Sequence, residues 1–273
     1  MKLIIDNAIP FIKGEAEKLG ETVYKCGADI TATDVRDADV LIVRTRTRCN
    51  RAKVRLVVTA TIGFDHIDTA WLAEAGIRWT NCPGCNAASV GQYVACCLLR
   101  LQQEKMLEVR NLTIGVVGVG HVGTEVVAAV ERLGCRVLQC DPFRAEAGEE
   151  GFVELKTIAE QADVVTFHTP LTKDGPYPTH HLANADFFSA CRAKQPLIIN
   201  AARGGVVDEQ ALLAAIDHKH VKGAIIDTWK QEPQIDQRLL EKAIFATPHI
   251  AGYSADGKTN GTRMSLQAVA DFF

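Results

Sequence analysis

One stretch limits what this chain can fold into more than any other. An apolar run ending at Val117 leads into Gly118-x-Gly120-x-x-Gly123, a helical stretch follows to Gly134, and a second apolar run ends at Asp141. The order is strand, glycine turn, helix, strand, acid. A dinucleotide pyrophosphate requires this arrangement: one glycine for a tight turn, one so that backbone can approach the phosphates, and one for close helix packing, with a helix N-terminus facing the anion. Asp141 stands where a carboxylate can accept from a ribose 2′-hydroxyl. Glycine turns are common in loops, so it is the flanking strand, helix and acid that turn the pattern into a dinucleotide site.

At 273 residues the chain exceeds a usual single domain, and two domains are expected. A formal net charge of −3 gives no general basic field, which argues against non-specific nucleic-acid binding. No run of roughly 18 apolar residues is present for a membrane span, and the apolar start at residues 1–6 is too short for a signal peptide. The nine cysteines are odd in number and scattered, several on expected strands and helices (Cys96, Cys97, Cys135, Cys140), as in a reducing cytoplasm. Cys82 and Cys85 have redox spacing but no second pair for zinc, and read as small loop residues. No metal site is expected.

The first ninety or so residues alternate strands with helices. Strands are expected at 2–6, 40–44, 54–60 and 77–80, and helices at 10–19, opened by Pro10, and at 69–75, closed by Gly76. This rhythm means parallel pairing with both faces covered. A long helix at 87–107 crosses into a second domain of the same kind, with strands at 163–167, 196–200, 222–227 and 244–248. Asp208 N-caps a helix running to about residue 219. A last helix begins near Ser254, with only a partial apolar face. The fold class is therefore α/β, with two doubly wound parallel-sheet, Rossmann-like domains: 1–88 with 253–273, and 89–252. Ligands in such sheets sit beyond the carboxyl ends of the strands.

Three groups stand on those ends: Arg203 in Asn-Ala-Ala-Arg-Gly-Gly, Glu232 before Pro233, and His249 after Pro248. Removing a hydride from a hydroxylated carbon needs a base for the hydroxyl proton, and histidine suits that task. A carboxylate on the other ring nitrogen would fix its tautomer. An arginine fork can hold a substrate carboxylate bidentately. Taken singly, each could be a capped loop residue, a surface ion pair or a solvated acid. Their joint placement with the glycine turn favours chemistry.

Gly118-x-Gly120-x-x-Gly123 with Asp141, the run from Phe167 to Leu171, the run from Asn200 to Gly205, Glu232-Pro233 and Pro248-His249 resemble the D-isomer-specific 2-hydroxyacid dehydrogenases over nearly the whole chain. The resemblance implies an NAD-dependent oxidoreductase whose active site lies in an interdomain cleft. It implies Arg203, Glu232 and His249 as the catalytic set, with His249 the proton acceptor. It also implies cofactor contacts from Gly118, Gly120, His121, Val122, Gly123, Asp141, Thr169, Ala201, Ala202, Arg203, Asp227 and Gly252. Substrate contacts would come from Thr45, Thr61 and Tyr253. Asp141 favours NAD over NADP, because a 2′-phosphate beside a carboxylate is repelled; Arg144 works the other way. Family members continue into a C-terminal dimerisation domain, so a homodimer is implied, with that domain expected to be missing here.

Arg44, Arg46 and Arg48, alternating with threonines just past a strand end, suit a phosphorylated hydroxyacid, and the finer resemblance within the family, carried by the run from Ala60 to Asp68 and the Asp174-Gly-Pro-Tyr177 loop, implies the same kind of substrate. Such a substrate carries two anionic groups, and Arg203 can serve only one. Arg44 or Arg46, with Thr45, would take the phosphate; the bland alternative is a solvated basic loop. Competing readings are a dehydrogenase for another D-2-hydroxyacid, such as 3-phosphoglycerate or glycerate, and a dinucleotide-sensing regulator of the same fold.

Overall fold

Short runs of Val, Ile and Leu, buried on both faces, form parallel strands, because only a sheet covered on each side hides a continuous apolar run. The computed structural model describes residues 1–45, 47, 49 and 54–273. The chain divides into two compact units, Met1–Asn86 with Tyr253–Phe273, and Ala87–Gly252.

In the first unit β1 (Lys2–Asp6), β2 (Glu21–Lys25), β3 (Val40–Val43), β4 (Leu56–Thr59) and β5 (Arg78–Thr80) form a parallel sheet in the order β2-β1-β3-β4-β5. The helix α1 (Thr69–Glu74) is capped by Asp68, whose carboxylate accepts from the Trp71 N–H. Alternate side chains feed two cores. Ile4, Leu41, Val43 and Val57 face one side; Leu3, Ile5, Val40, Ile42 and Val58 face the other.

The helix expected at 10–19 is not there. Phe11 and Gly14 take positive φ, 59° and 87°, and only a short 3₁₀ turn forms at Ala16–Lys18. Ile9, Ile12 and Ala16 still reach the core, so their helix-like spacing reflects anchoring of a loop. Residues 21–25 carried no expectation. They form the edge strand β2, whose mixed polar and half-buried composition hides it.

The second unit contains α2 (Ala87–Gln103), β6 (Thr113–Val117), α3 (His121–Arg132), β7 (Arg136–Cys140), α4 (Pro142–Glu146), α5 (Leu155–Gln161), β8 (Val164–Phe167), α6 (Ala185–Cys191), β9 (Leu197–Asn200), α7 (Glu209–Asp217), β10 (Gly223–Ile226), α8 (Gln237–Lys242) and β11 (Phe245–Ala246). Its parallel sheet has the order β11-β10-β9-β8-β6-β7. From β6 the chain moves outward to β7, then returns to place β8 on the other side of β6. The carboxyl ends of β6 and β8 thus flank the topological switch point, where such sheets open a crevice.

The chain then returns to the first unit as α9 (Ala255–Phe272). Its buried residues are Gly257, Gly261, Thr262, Ser265 and Val269. A Cβ at Gly261 would stand 2.9 Å from the Ala60 carbonyl oxygen. The partial apolar face read from the sequence is therefore a face of small residues that lets the helix lie close. Cys82 completes this contact, its Sγ 3.3 Å from both Gly261 O and Ser265 Oγ. The cysteines are free thiols, with only Cys26 and Cys96 exposed. Burial pushes the Cys85 thiol up to about 11 and Cys191 up to about 12.

At the amino ends of the second sheet, Asp163 accepts from the Thr113 N–H at 2.8 Å and pairs with Lys194 at 2.8 Å. Burial works to raise its carboxyl pKa, but Lys194 and the Thr113 N–H prevail and hold it below the usual range. A carboxyl lowered in the folded state adds stability that is present above its unfolded pKa of about 3.9 and is lost as pH falls towards the folded value. Asp163→Asn should therefore cost about 1.5–3 kcal/mol at neutral pH. Urea titrations across the acid range should show that gap closing below about pH 4.

Candidate active site

The glycine turn follows β6. Gly118 has φ 85°, and a Cβ there would stand 2.7 Å from Thr169 Cγ2 and 2.9 Å from the His168 carbonyl carbon. A Cβ at Gly123 would stand 2.0 Å from the Gly118 carbonyl oxygen, so this position lets α3 sit directly on the turn. Gly120, the N-cap of α3, has open space where its Cβ would be. Tight turn, open approach and close packing are thus divided among the three glycines as a pyrophosphate requires. His121 is exposed in the first turn of α3 and Val122 half-buried behind it.

Across the switch point, Thr169 Oγ1 is buried without a hydrogen-bond partner, and so is His168 Nδ1. Nε2 of that ring lies 2.8 Å from Thr166 Oγ1. Burial pushes the His168 pKa down to about 3, which keeps the imidazole neutral. An orphaned hydroxyl against a glycine turn is a demand for a polar ligand, and these residues fit a dinucleotide.

Asp141 ends β7 and caps α4, accepting from the Val119 N–H at 2.9 Å and the Arg144 N–H at 3.3 Å. Each carboxylate oxygen keeps a second lone pair that a ribose hydroxyl can use. Arg144 is turned away: its guanidinium donates to Val119 O at 2.9 Å and pairs with Glu149. That arginine is occupied by protein partners.

Beyond β9, buried Asn200 folds the next three residues into a turn. Its amide accepts from the Ala202 N–H at 3.2 Å and donates to Arg203 O at 3.0 Å. Ala201 and Arg203 are half-buried there, and Arg203 Nη1 donates to Ala202 O at 2.7 Å. A Cβ at Gly204 would stand 2.1 Å from the Trp229 carbonyl carbon. Glycine at that position lets the arginine turn lie against the segment carrying Glu232.

Glu232 and His249 meet directly. His249 Nδ1 lies 2.9 Å from Glu232 Oε2, while Glu232 Oε1 accepts from the Trp229 N–H at 2.7 Å. With the carboxylate as acceptor, Nδ1 is the donor, and in that tautomer Nε2 holds the lone pair. The histidine side chain is 47% exposed, leaving room for a reactant. The contact fixes the orientation of the histidine ring.

His249 itself has φ 56°, a left-handed conformation that persists only where its surroundings impose it. Asp227, buried at the end of β10, imposes it. Its carboxylate accepts from the Thr247 hydroxyl at 2.6 Å, the Ile250 N–H at 2.7 Å and the Ala251 N–H at 2.9 Å, and its carbonyl accepts from the His249 N–H at 2.9 Å. Because the Thr247 proton is committed to Asp227, the Tyr93 hydroxyl, 2.8 Å away on α2, must donate to Thr247. Trp229 Nε1 donates to Thr247 O at 2.9 Å. The sequence reading singled out neither Tyr93, Trp229 nor Thr247. The available signal was weak: a polar side chain on the inner face of an apolar helix, and a threonine before Pro248-His249. Gly252 closes this unit.

The expected substrate contacts lie in the first unit. Arg44 and Thr45 follow β3, and Thr61 follows β4. Arg44 Nη1 donates to Ala8 O at 2.9 Å, at that sheet's own switch between β1 and β3. Tyr253, 66% exposed, carries Lys258 Nζ 3.3 Å from its ring centroid. Lys258, and more weakly Arg44, lower its phenol pKa. Arg46 and Arg48 lie outside the described residues. Among the described residues, no group of three His, Cys, Asp or Glu side chains could hold a metal ion, and no helix is long and apolar enough to cross a membrane.

Residues 91–251 match the family described as D-isomer specific 2-hydroxyacid dehydrogenase, NAD binding domain. Relatives named erythronate-4-phosphate dehydrogenase include one from Bacteroides fragilis, 51% identical over all of this chain and 80% of its own length. Another, from Escherichia coli O157:H7, is 41% identical over all of this chain and 73% of its own length. The chain belongs to the D-isomer specific 2-hydroxyacid dehydrogenases, in their erythronate-4-phosphate dehydrogenase branch. It is an NAD-dependent dehydrogenase. The fold is also that of an Aquifex aeolicus D-lactate dehydrogenase solved with NAD and lactic acid, at TM-score 0.80 and 24% identity, covering 100% of this chain and 95% of that one. A Sinorhizobium meliloti glyoxylate/hydroxypyruvate reductase solved with NADP and malonate matches at TM-score 0.81 and 24% identity, covering 100% and 93%.

The pairing of Glu232 with His249 is open to direct measurement. If His249 is a base oriented by Glu232, Glu232→Gln should lower kcat by roughly tenfold to a hundredfold, with NAD binding, followed by tryptophan fluorescence, unchanged. Wild-type turnover in this variant would mean that Glu232 does not orient the base.

Proposed function

We propose that this dehydrogenase oxidises 4-phospho-D-erythronate to 3-hydroxy-2-oxo-4-phosphooxybutanoate in the cytoplasm, as a homodimer, in vitamin B6 biosynthesis. The observation that carries the chemistry is the His249 ring fixed on Glu232 with Nε2 left basic. The names of the relatives at 41–51% identity support the substrate.

In this reading Arg203 holds the substrate carboxylate as a planar fork and fixes the α-carbon. His249 Nε2 takes the proton of the C2 hydroxyl as that carbon becomes a carbonyl, and Glu232 stabilises the imidazolium that results. A bound NAD⁺ would supply the hydride acceptor for C2, so that the overall change is hydroxyacid and NAD⁺ to 2-oxoacid, NADH and a proton. The glycine turn with His121 and Val122, together with Asp141, Thr169, Ala201, Ala202, Asp227 and Gly252, binds the cofactor. Asp141 favours NAD over NADP, because a 2′-phosphate there would meet a carboxylate while Arg144 is held by Glu149. Arg44 or Arg46, with Thr45, takes the phosphate, and Thr61 and Tyr253 contact the rest of the substrate.

NADH formation should be measured with 4-phospho-D-erythronate, 3-phosphoglycerate and glycerate. The first is expected to give the highest kcat/KM, and Arg44→Gln should raise KM for the phosphorylated compounds by roughly tenfold, the loss of one charged hydrogen bond. A preference for 3-phosphoglycerate or glycerate would replace the proposed substrate. Turnover of none would favour a dinucleotide sensor.

A further inference from the structure

Thr61 lies at the end of a chain of hydrogen bonds whose direction is fully determined. Its hydroxyl donates to the Gly63 carbonyl at 2.8 Å. A hydroxyl has one proton, so in the 2.7 Å contact with Thr59 it is Thr61 that accepts. The single Thr59 proton is thereby used, and in the 2.9 Å contact between Thr59 Oγ1 and His66 Nε2 the ring must donate. Thr59 is fully buried, so water cannot substitute for either partner. The polarity runs from His66 through Thr59 and Thr61 to Gly63. Burial, opposed by the weaker pull of Asp65, lowers the His66 pKa and favours the neutral ring with its one proton on Nε2.

We propose that Thr61 meets the substrate as a hydrogen-bond acceptor, with His66 and Thr59 as positioning residues, and so selects hydroxyacids bearing a second free hydroxyl. This rests on the proposed function, in which Thr61 contacts the substrate. After Gly63 and Thr59 are served, the Thr61 oxygen keeps one lone pair. A phosphate or carboxylate oxygen has no proton to give it, and meeting one would force the hydroxyl off Gly63 O. Thr61 is therefore not an anion ligand. The C2 hydroxyl gives up its proton as that carbon becomes a carbonyl, so the group left to donate is the C3 hydroxyl. A 3-deoxy compound would leave a desolvated acceptor unpaired.

The test compares 4-phospho-D-erythronate with its 3-deoxy analogue, 2-hydroxy-4-phosphobutanoate, in the wild type and in Thr61→Val and Thr61→Ser. The wild type should prefer the hydroxylated compound by about tenfold to a hundredfold in kcat/KM. Thr61→Val should bring that ratio close to one by losing rate on the hydroxylated compound alone, and Thr61→Ser should restore it. Imidazole nitrogen NMR should place the His66 proton on Nε2. Turnover of both compounds at like rates by the wild type, a ratio unchanged in Thr61→Val, or an Nδ1 proton on His66 would each overturn the inference while leaving the proposed function standing. Turnover of neither would overturn the proposed function, and this inference with it.

Discussion

The carboxylate of Asp227 holds the reactive end of the second unit together. It is buried at the end of a central strand and collects three donors from the segment after β11, while its carbonyl takes a fourth. A buried carboxylate stripped of its donors costs several kcal/mol. Departures of the 247–251 segment from its observed path carry that penalty. His249 can therefore occupy a left-handed conformation that a histidine in a free loop would rarely adopt.

The same economy runs through the rest of the site. Asn200 turns the arginine segment, Glu232 spends one oxygen on Trp229 and the other on His249, and Asp141 braces the glycine turn before a cofactor needs it. Each of these three side chains also ties down backbone nearby. Such double use is what makes a site rigid: the side chains are placed before any reactant arrives.

Much of this was legible in the sequence. Gly118, Gly120, Gly123 and Asp141 announced a strand-turn-helix unit because their spacing is dictated by backbone sterics, which are local. Glu232 and His249 could be named as partners, but their contact depends on Gly204 admitting one turn against another and on Asp227 holding a third. Those are meetings between distant segments. The segment at 10–19 misled for a related reason: Ile9, Ile12 and Ala16 recur as on a helix, yet the positive φ at Phe11 and Gly14 outweighs the pattern. In α9 the buried face is made of glycine, serine and threonine, so a search for apolar periodicity sees only half of it.

The buried cysteines carry a last consequence. Seven of the nine thiols are enclosed, and those at positions 85 and 191 are pushed to about 11 and 12, so at neutral pH they are almost wholly protonated and shielded from electrophiles. They are spread over both units: Cys49 in a core of the first sheet, Cys82 and Cys85 beside α9, Cys97 on α2, Cys135 and Cys140 at either end of β7, and Cys191 at the end of α6. Each is a silent reporter that becomes reactive only when its own neighbourhood opens. The rate at which each thiol is trapped would chart the local breathing of this enzyme residue by residue, with no label added to the chain.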